Sequence, residues 1–202
     1  MNDTTMFSLQ GKVALVTGAT HGLGMAMANG LGAAGAHLVV NGNSSQEKID
    51  KAVAAYREAG MEASGYRFNV TDEEGVEAAV AQIESEVGPI DILVNNAGII
   101  RRIPLLEMPV DEWELVIKTD LTSAFIVSKA VVSRMVKRGG GKVINICSMM
   151  SELGRDSVGA YAAAKGGLKM LTRNMAPEWA RHNVQVLSLI HISEPTRRRL
   201  ES

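Results

Sequence analysis

The segment that most constrains the fold is Thr17-Gly18-Ala19-Thr20-His21-Gly22-Leu23-Gly24, which follows the apolar run Val13–Thr17 without a break. A short run that is β-branched and apolar at consecutive positions reads as a strand buried on both faces. A glycine-rich turn leading from such a strand into a helix has a defined use. Gly18 permits the tight turn, Gly22 lets the backbone approach a pyrophosphate, and Gly24 lets the helix pack near the strand. The free N–H groups and positive dipole end of that helix then face the phosphates. Thr17, Thr20, His21 and Leu23 belong to the same turn and are candidate cofactor contacts.

The rest of the chain repeats a strand–helix order. Strands are expected at Val13–Thr17, Ala36–Val40, Tyr66–Val70, Ile90–Asn95, Lys142–Cys147 and Val184–Leu187. Helices are expected at Glu47–Ala59, Asp72–Val87, Asp111–Arg138 and Ala160–Arg181, with caps at Asn43-Ser44-Ser45 and Thr71 and stops at Gly60, Gly88-Pro89 and Gly139-Gly140-Gly141. That alternation implies an α/β fold, a doubly wound parallel sheet of Rossmann type with helices on both faces. No internal repeat or linker divides it, so one domain is expected.

Formal net charge is −1, from 21 basic and 22 acidic residues. That balance argues against nucleic acid or an anionic membrane surface as partner. The one cysteine, Cys147, lies in an apolar run and reads as an inert core thiol in a reducing compartment. No apolar run approaches the ~20 residues of a membrane helix. The N-terminus lacks a basic-then-apolar signal pattern. A soluble cytoplasmic protein is expected, and no metal cluster is.

At the end of the second strand, Asn41-Gly42-Asn43-Ser44-Ser45 offers neither the carboxylate that reads a ribose 2′-OH nor an arginine for a 2′-phosphate. Small polar groups at Asn41 and Asn43 leave room for a phosphate, and His21 adds partial positive charge. NADP is therefore favoured over NAD. Asn69 and Val70, ending the third strand, are placed to meet the adenine. Asn95-Asn96-Ala97-Gly98 ends the fourth strand at the edge of the same cleft, where asparagine amides can bond both backbone and ribose.

Tyr161 and Lys165 stand four residues apart in a helical stretch and share one face. An isolated phenol holds its proton at neutral pH. A lysine cation beside it stabilises the phenolate, so the tyrosine can exchange a proton as hydride moves to or from a nicotinamide. Ser148, after the fifth strand, can hydrogen-bond the same substrate oxygen.

The glycine turn, Asn95-Asn96-Ala97-Gly98, Ser148 and Tyr161-x-x-x-Lys165, in that order, resemble the short-chain dehydrogenase/reductase family from about Phe7 to Val186. The resemblance implies that Ser148 orients substrate, Tyr161 is the acid/base, and Lys165 supports the tyrosine and the nicotinamide ribose. It also implies an asparagine supporting a water relay to the lysine; the matching position holds Asp120. Phe7–Lys12, Asn96–Arg102 and Cys147–Arg155 are similar to the gluconate 5-dehydrogenase and 3-deoxy-gluconate dehydrogenase branch. That likeness implies a sugar-acid substrate. Its carboxylate calls for an arginine, since a guanidinium grips a carboxylate with two hydrogen bonds. Arg102 and Arg155 are the candidates, with Arg101 beside them.

The family pattern continues after the sixth strand with a Pro-Gly loop, a further helix and a seventh strand. None follows here. The stretch 187–202 reads as a tail foreign to the family, like translated read-through. An uncovered sheet edge is expected to make this chain poorly soluble and nearly inactive. Dimers or tetramers are implied by the resemblance.

Overall fold

The computed structural model describes residues 5–191. Six strands form one parallel sheet in the order β3-β2-β1-β4-β5-β6: β1 (Val13–Val16), β2 (His37–Gly42), β3 (Ala63–Arg67), β4 (Ile90–Asn95), β5 (Gly141–Ser148) and β6 (Val184–His191). Six α-helices connect them: α1 (Gly22–Ala33), α2 (Gln46–Glu58), α3 (Glu73–Glu86), α4 (Val110–Ile117), α5 (Ser123–Arg138) and α6 (Gly159–Ala180). This is the expected doubly wound arrangement of Rossmann type.

Alternation along β1 shows why both faces need helices. Val13 and Leu15 join a core with Val76, Val80 and Val131 from α3 and α5. Ala14 and Val16 join a second core with Ala28, Ile49 and Tyr56 from α1 and α2. A buried polar chain fixes the sheet to α5 and α6. The Asn95 amide donates to Ser128 Oγ and Asn145 Oδ1, each at 2.8 Å, and the Asn145 amide donates to Thr172 Oγ1 at 2.9 Å. Such groups are tolerated in a core because each has its partner.

Strand order reverses between β1 and β4, and a crevice opens beyond their carboxyl ends. Three elements depart from expectation. β3 lies three residues earlier than Tyr66–Val70, because its inward positions are small. A Cβ on Gly65 would sit 2.4 Å from Ile49 Cγ2, so α2 packs directly over this edge strand. Phe68 and Val70, whose apolar character suggested strand, are buried beyond its end. The single helix expected over Asp111–Arg138 is broken by a π-helical turn, Lys118–Thr122. β6 continues past Leu187 to His191, and Leu187 and Leu189 are each 47% exposed. The remainder of the expected foreign tail, 192–202, lies outside the described residues.

Candidate active site

The glycine turn closes on the loop after β4 through one hydroxyl. Thr17 Oγ1 accepts from the N–H groups of Asn96 and Ala97, each at 3.0 Å, and donates to the Val94 carbonyl at 3.3 Å. The Asn96 amide returns the contact, donating to the carbonyls of Thr17 (2.9 Å) and Gly18 (3.1 Å). This fit requires glycine at two places. Gly18 has φ +65°, and a Cβ on Gly24 would lie 2.3 Å from the Gly18 carbonyl oxygen. Thr17 and Asn96, expected to touch cofactor, are thus first of all the fasteners of the cleft.

Asn41 behaves likewise. It is buried, its Oδ1 accepts from Gly18 N–H at 3.4 Å, and its amide donates to the Phe68 carbonyl at 3.0 Å. Asn69 Oδ1 caps the next turn, accepting from Thr71 N–H and Oγ1 at 3.0 Å each. His21 is exposed and its Nδ1 lies 3.1 Å from Thr20 Oγ1. No side chain caps the N-terminus of α1, so its first N–H groups point into the cleft with no side-chain partner from the described residues. A cavity of about 660 Å³ runs from this turn past Asn43, Asn69, Val70 and Ala97. No carboxylate lines it among the described residues. An open helix N-terminus, a glycine cradle and an acid-free wall fit the phosphates of a dinucleotide.

A second cavity of about 570 Å³ shares Leu23, Asn96, Gly98 and Ile99 with the first. It brings together Ser148, Tyr161, Lys165, Asp120, Arg102 and Arg155. Ser148 ends β5 and opens the 3-10 turn Met149–Ser151, its Oγ accepting from Met150 N–H at 3.2 Å. Among the described residues nothing accepts its proton, which leaves the hydroxyl free to donate. Ser151 Oγ joins the catalytic candidates, accepting from Ser148 N–H (3.2 Å) and donating to the Lys165 carbonyl (3.0 Å).

Lys165 is 4% exposed; its Nζ donates to the Ile146 carbonyl at 3.0 Å and lies 5.6 Å from the Tyr161 ring centroid. Asp120 is 1% exposed. Its Oδ1 accepts from Ile99 N–H at 2.7 Å, while Oδ2 lies 3.4 Å from Lys165 Nζ and has no hydrogen-bond partner among the described residues. Burial pushes the Asp120 carboxyl up, against the opposing pull of the Lys165 charge. Burial also pushes the Cys147 thiol up, as expected of an inert core thiol.

Of the three arginines, Arg101 is tied to Glu112, with Nε at 2.7 Å, whereas Arg102 and Arg155 reach the cavity from the exposed rim. Sequence reasoning missed Arg67. It ends β3 opposite Gly42, and its Nε donates to the Asn43 carbonyl at 3.3 Å. Reading the third strand as Tyr66–Val70 put this residue inside the strand instead of at its carboxyl end.

Comparisons with known proteins agree with this geometry. The family model described as short chain dehydrogenase matches residues 12–191. A 2-dehydro-3-deoxy-D-gluconate 5-dehydrogenase of Formosa agariphila is 70% identical over 90% of this chain and 69% of its own length. A 5-keto-D-gluconate 5-reductase of Escherichia coli K12 is 52% identical over 92% of this chain and 72% of its own. The crystal structure of a gluconate 5-dehydrogenase from Burkholderia cenocepacia in complex with NADP and tartrate is 43% identical, with a TM-score of 0.88 over 91% of this chain and 72% of that one. Among the described residues no helix is long and apolar enough to cross a membrane. The glycine turn, the Ser148–Tyr161–Lys165 constellation and these matches together place the chain in the short-chain dehydrogenase family of NAD(P)-dependent oxidoreductases.

Proposed function

We propose that this chain is one nucleotide-binding catalytic domain that interconverts a secondary alcohol and a ketone on a sugar acid, such as gluconate and 5-ketogluconate, with NADP preferred to NAD. The observation that carries the reading is one cavity, continuous with the dinucleotide cleft, that holds an acid–base pair and two guanidinium groups. When bound, the nicotinamide supplies or receives the hydride. Tyr161 exchanges the proton at the substrate oxygen through its phenol oxygen. Ser148, with its hydroxyl proton free, holds that same oxygen. Lys165 favours the phenolate when an alcohol is oxidised. Arg102 and Arg155 hold the substrate carboxylate. The names of the relatives support the substrate class, and the acid-free cleft supports NADP.

The working compartment is the cytoplasm and the macromolecular partner a second copy of the chain. Exposed apolar side chains on α4–α6, Trp113, Leu115, Phe125 and Met170, support that pairing.

The test is a panel of gluconate, 5-ketogluconate, 2-dehydro-3-deoxygluconate, a neutral polyol and a 3-oxoacyl thioester, each with both cofactors. Reduced-cofactor absorbance is followed. Whatever turnover the chain has is expected to be greater with the sugar acids than with the polyol or the thioester. Tyr161→Phe should lower turnover about 100-fold or more while cofactor binding persists. Arg102→Met should raise KM for gluconate but not for the neutral polyol. Preferred turnover of the thioester overturns the substrate class, and cofactor binding with no turnover of any substrate makes this a nucleotide-binding protein without the reaction.

A further inference from the structure

The floor beneath Tyr161 holds two buried, oppositely charged groups in a relation that the roles above do not use. The π-helical turn turns Asp120 inward, and Ile99 N–H fixes Oδ1. Gly98 makes room for the other oxygen, since a Cβ there would lie 2.6 Å from Asp120 Oδ2. Oδ2 therefore rests 3.4 Å from Lys165 Nζ without a hydrogen bond, while the ammonium is anchored elsewhere, on the Ile146 carbonyl. Two charges held this close in a dry site act on a third group nearly as a dipole, because neither is screened by water. Among the described residues, the other ionisable groups facing this floor are Arg102 and Arg155, at the solvent-exposed rim, and the buried Cys147 thiol.

We propose that Asp120 is a positioning residue whose carboxylate cancels part of the Lys165 charge at the Tyr161 phenol, holding the tyrosine in its proton-donating form and biasing the site toward ketone reduction. This rests on the reading of Tyr161 as the acid–base group. Lys165 alone would stabilise a phenolate; with Asp120 beside it the pair is close to neutral, and the phenol keeps its proton to higher pH. Asp120→Asn keeps an acceptor for Ile99 N–H and removes only the charge, so it separates electrostatics from shape.

The chain has three tyrosines, and this makes a direct readout available. Tyr56 and Tyr66 are both pushed up to about 12, by burial and, for Tyr66, by Glu86 as well. In a spectrophotometric pH titration of the cofactor-free chain, the phenolate absorbance step that Tyr161→Phe removes is the step of Tyr161. In Asp120→Asn that step should move to lower pH by about one pH unit. An unmoved step, or a move to higher pH, overturns the proposal. If Asp120→Asn fails to fold, Lys165→Gln tests the same coupling from the other side: the step should rise, and an unchanged step overturns it. The titration needs no turnover, so it separates this proposal from the acid–base reading, which falls if Tyr161→Phe retains full activity.

Discussion

Arg67 ends β3 beside Gly42, with Nε held by the carbonyl of Asn43, a residue that lines the dinucleotide cleft, while its own side chain lines a neighbouring pocket with Gln82 and Glu86. That bond fixes the guanidinium plane, and its terminal nitrogens hydrogen-bond to nothing among the described residues. A guanidinium in this state is well suited to a phosphate dianion. Arg67→Ala is expected to weaken binding of 2′,5′-ADP about tenfold and to leave 5′-AMP binding unchanged, as calorimetric titration of both nucleotides would show. Equal losses for the two would remove Arg67 from 2′-phosphate recognition. The proposed catalytic residues Tyr161, Lys165 and Ser148 were legible in the sequence through their order and spacing after recognisable elements, and one cavity brings the three together. Arg67 was not legible, because its place depends on how closely α2 packs over β3. Neither was the inward use of Asn41 and Asn96, since an asparagine at a strand end looks the same whether it bonds ligand or backbone.

Among the elements, α2 has a second task besides covering the sheet. Tyr56 is buried on its inner face, and its hydroxyl donates to the Ala19 carbonyl of the glycine turn at 2.8 Å. Tyr56→Phe is expected to cost about 1 kcal/mol, read as a lower denaturation midpoint, and to weaken dinucleotide binding. The pH dependence follows from the raised Tyr56 phenol. The folded state holds that proton up to about 12 against an ordinary value of 10.0, so the stabilisation is fully present below pH 10 and is lost as pH rises toward about 12. The gap between the native chain and Tyr56→Phe should close over that interval; a constant gap would show that the hydroxyl contributes no linkage. Element order and type were readable because the central parallel strands are largely apolar and α2, α3 and α5 stop at Gly60, Gly88 and Gly139. The π-helical turn was not readable. Its five residues, Lys118–Thr122, have ordinary helical composition, and the widening arises from seating Asp120 against Ile99 and Lys165.

At the scale of the whole molecule, α4–α6 present large apolar side chains to solvent, among them Phe125 at 47% and Met170 at 54% exposure. A second copy packed on these helices would remove them from water, at about 25 cal/mol per Å² of apolar area buried. Phe125→Glu combined with Met170→Glu is expected to lower the sedimenting mass to that of one chain. A mass unaffected by both changes would place the contact on another face. Composition alone hinted at this only weakly, since an apolar residue in a long helix reads equally as core or as contact.

The hydroxyl of Thr17 makes three hydrogen bonds that join the glycine turn to the loop after β4 within the protein alone. The cleft is accordingly assembled before any dinucleotide arrives. A ligand entering it has little chain entropy to remove, so the phosphate contacts register in affinity with small loss to ordering.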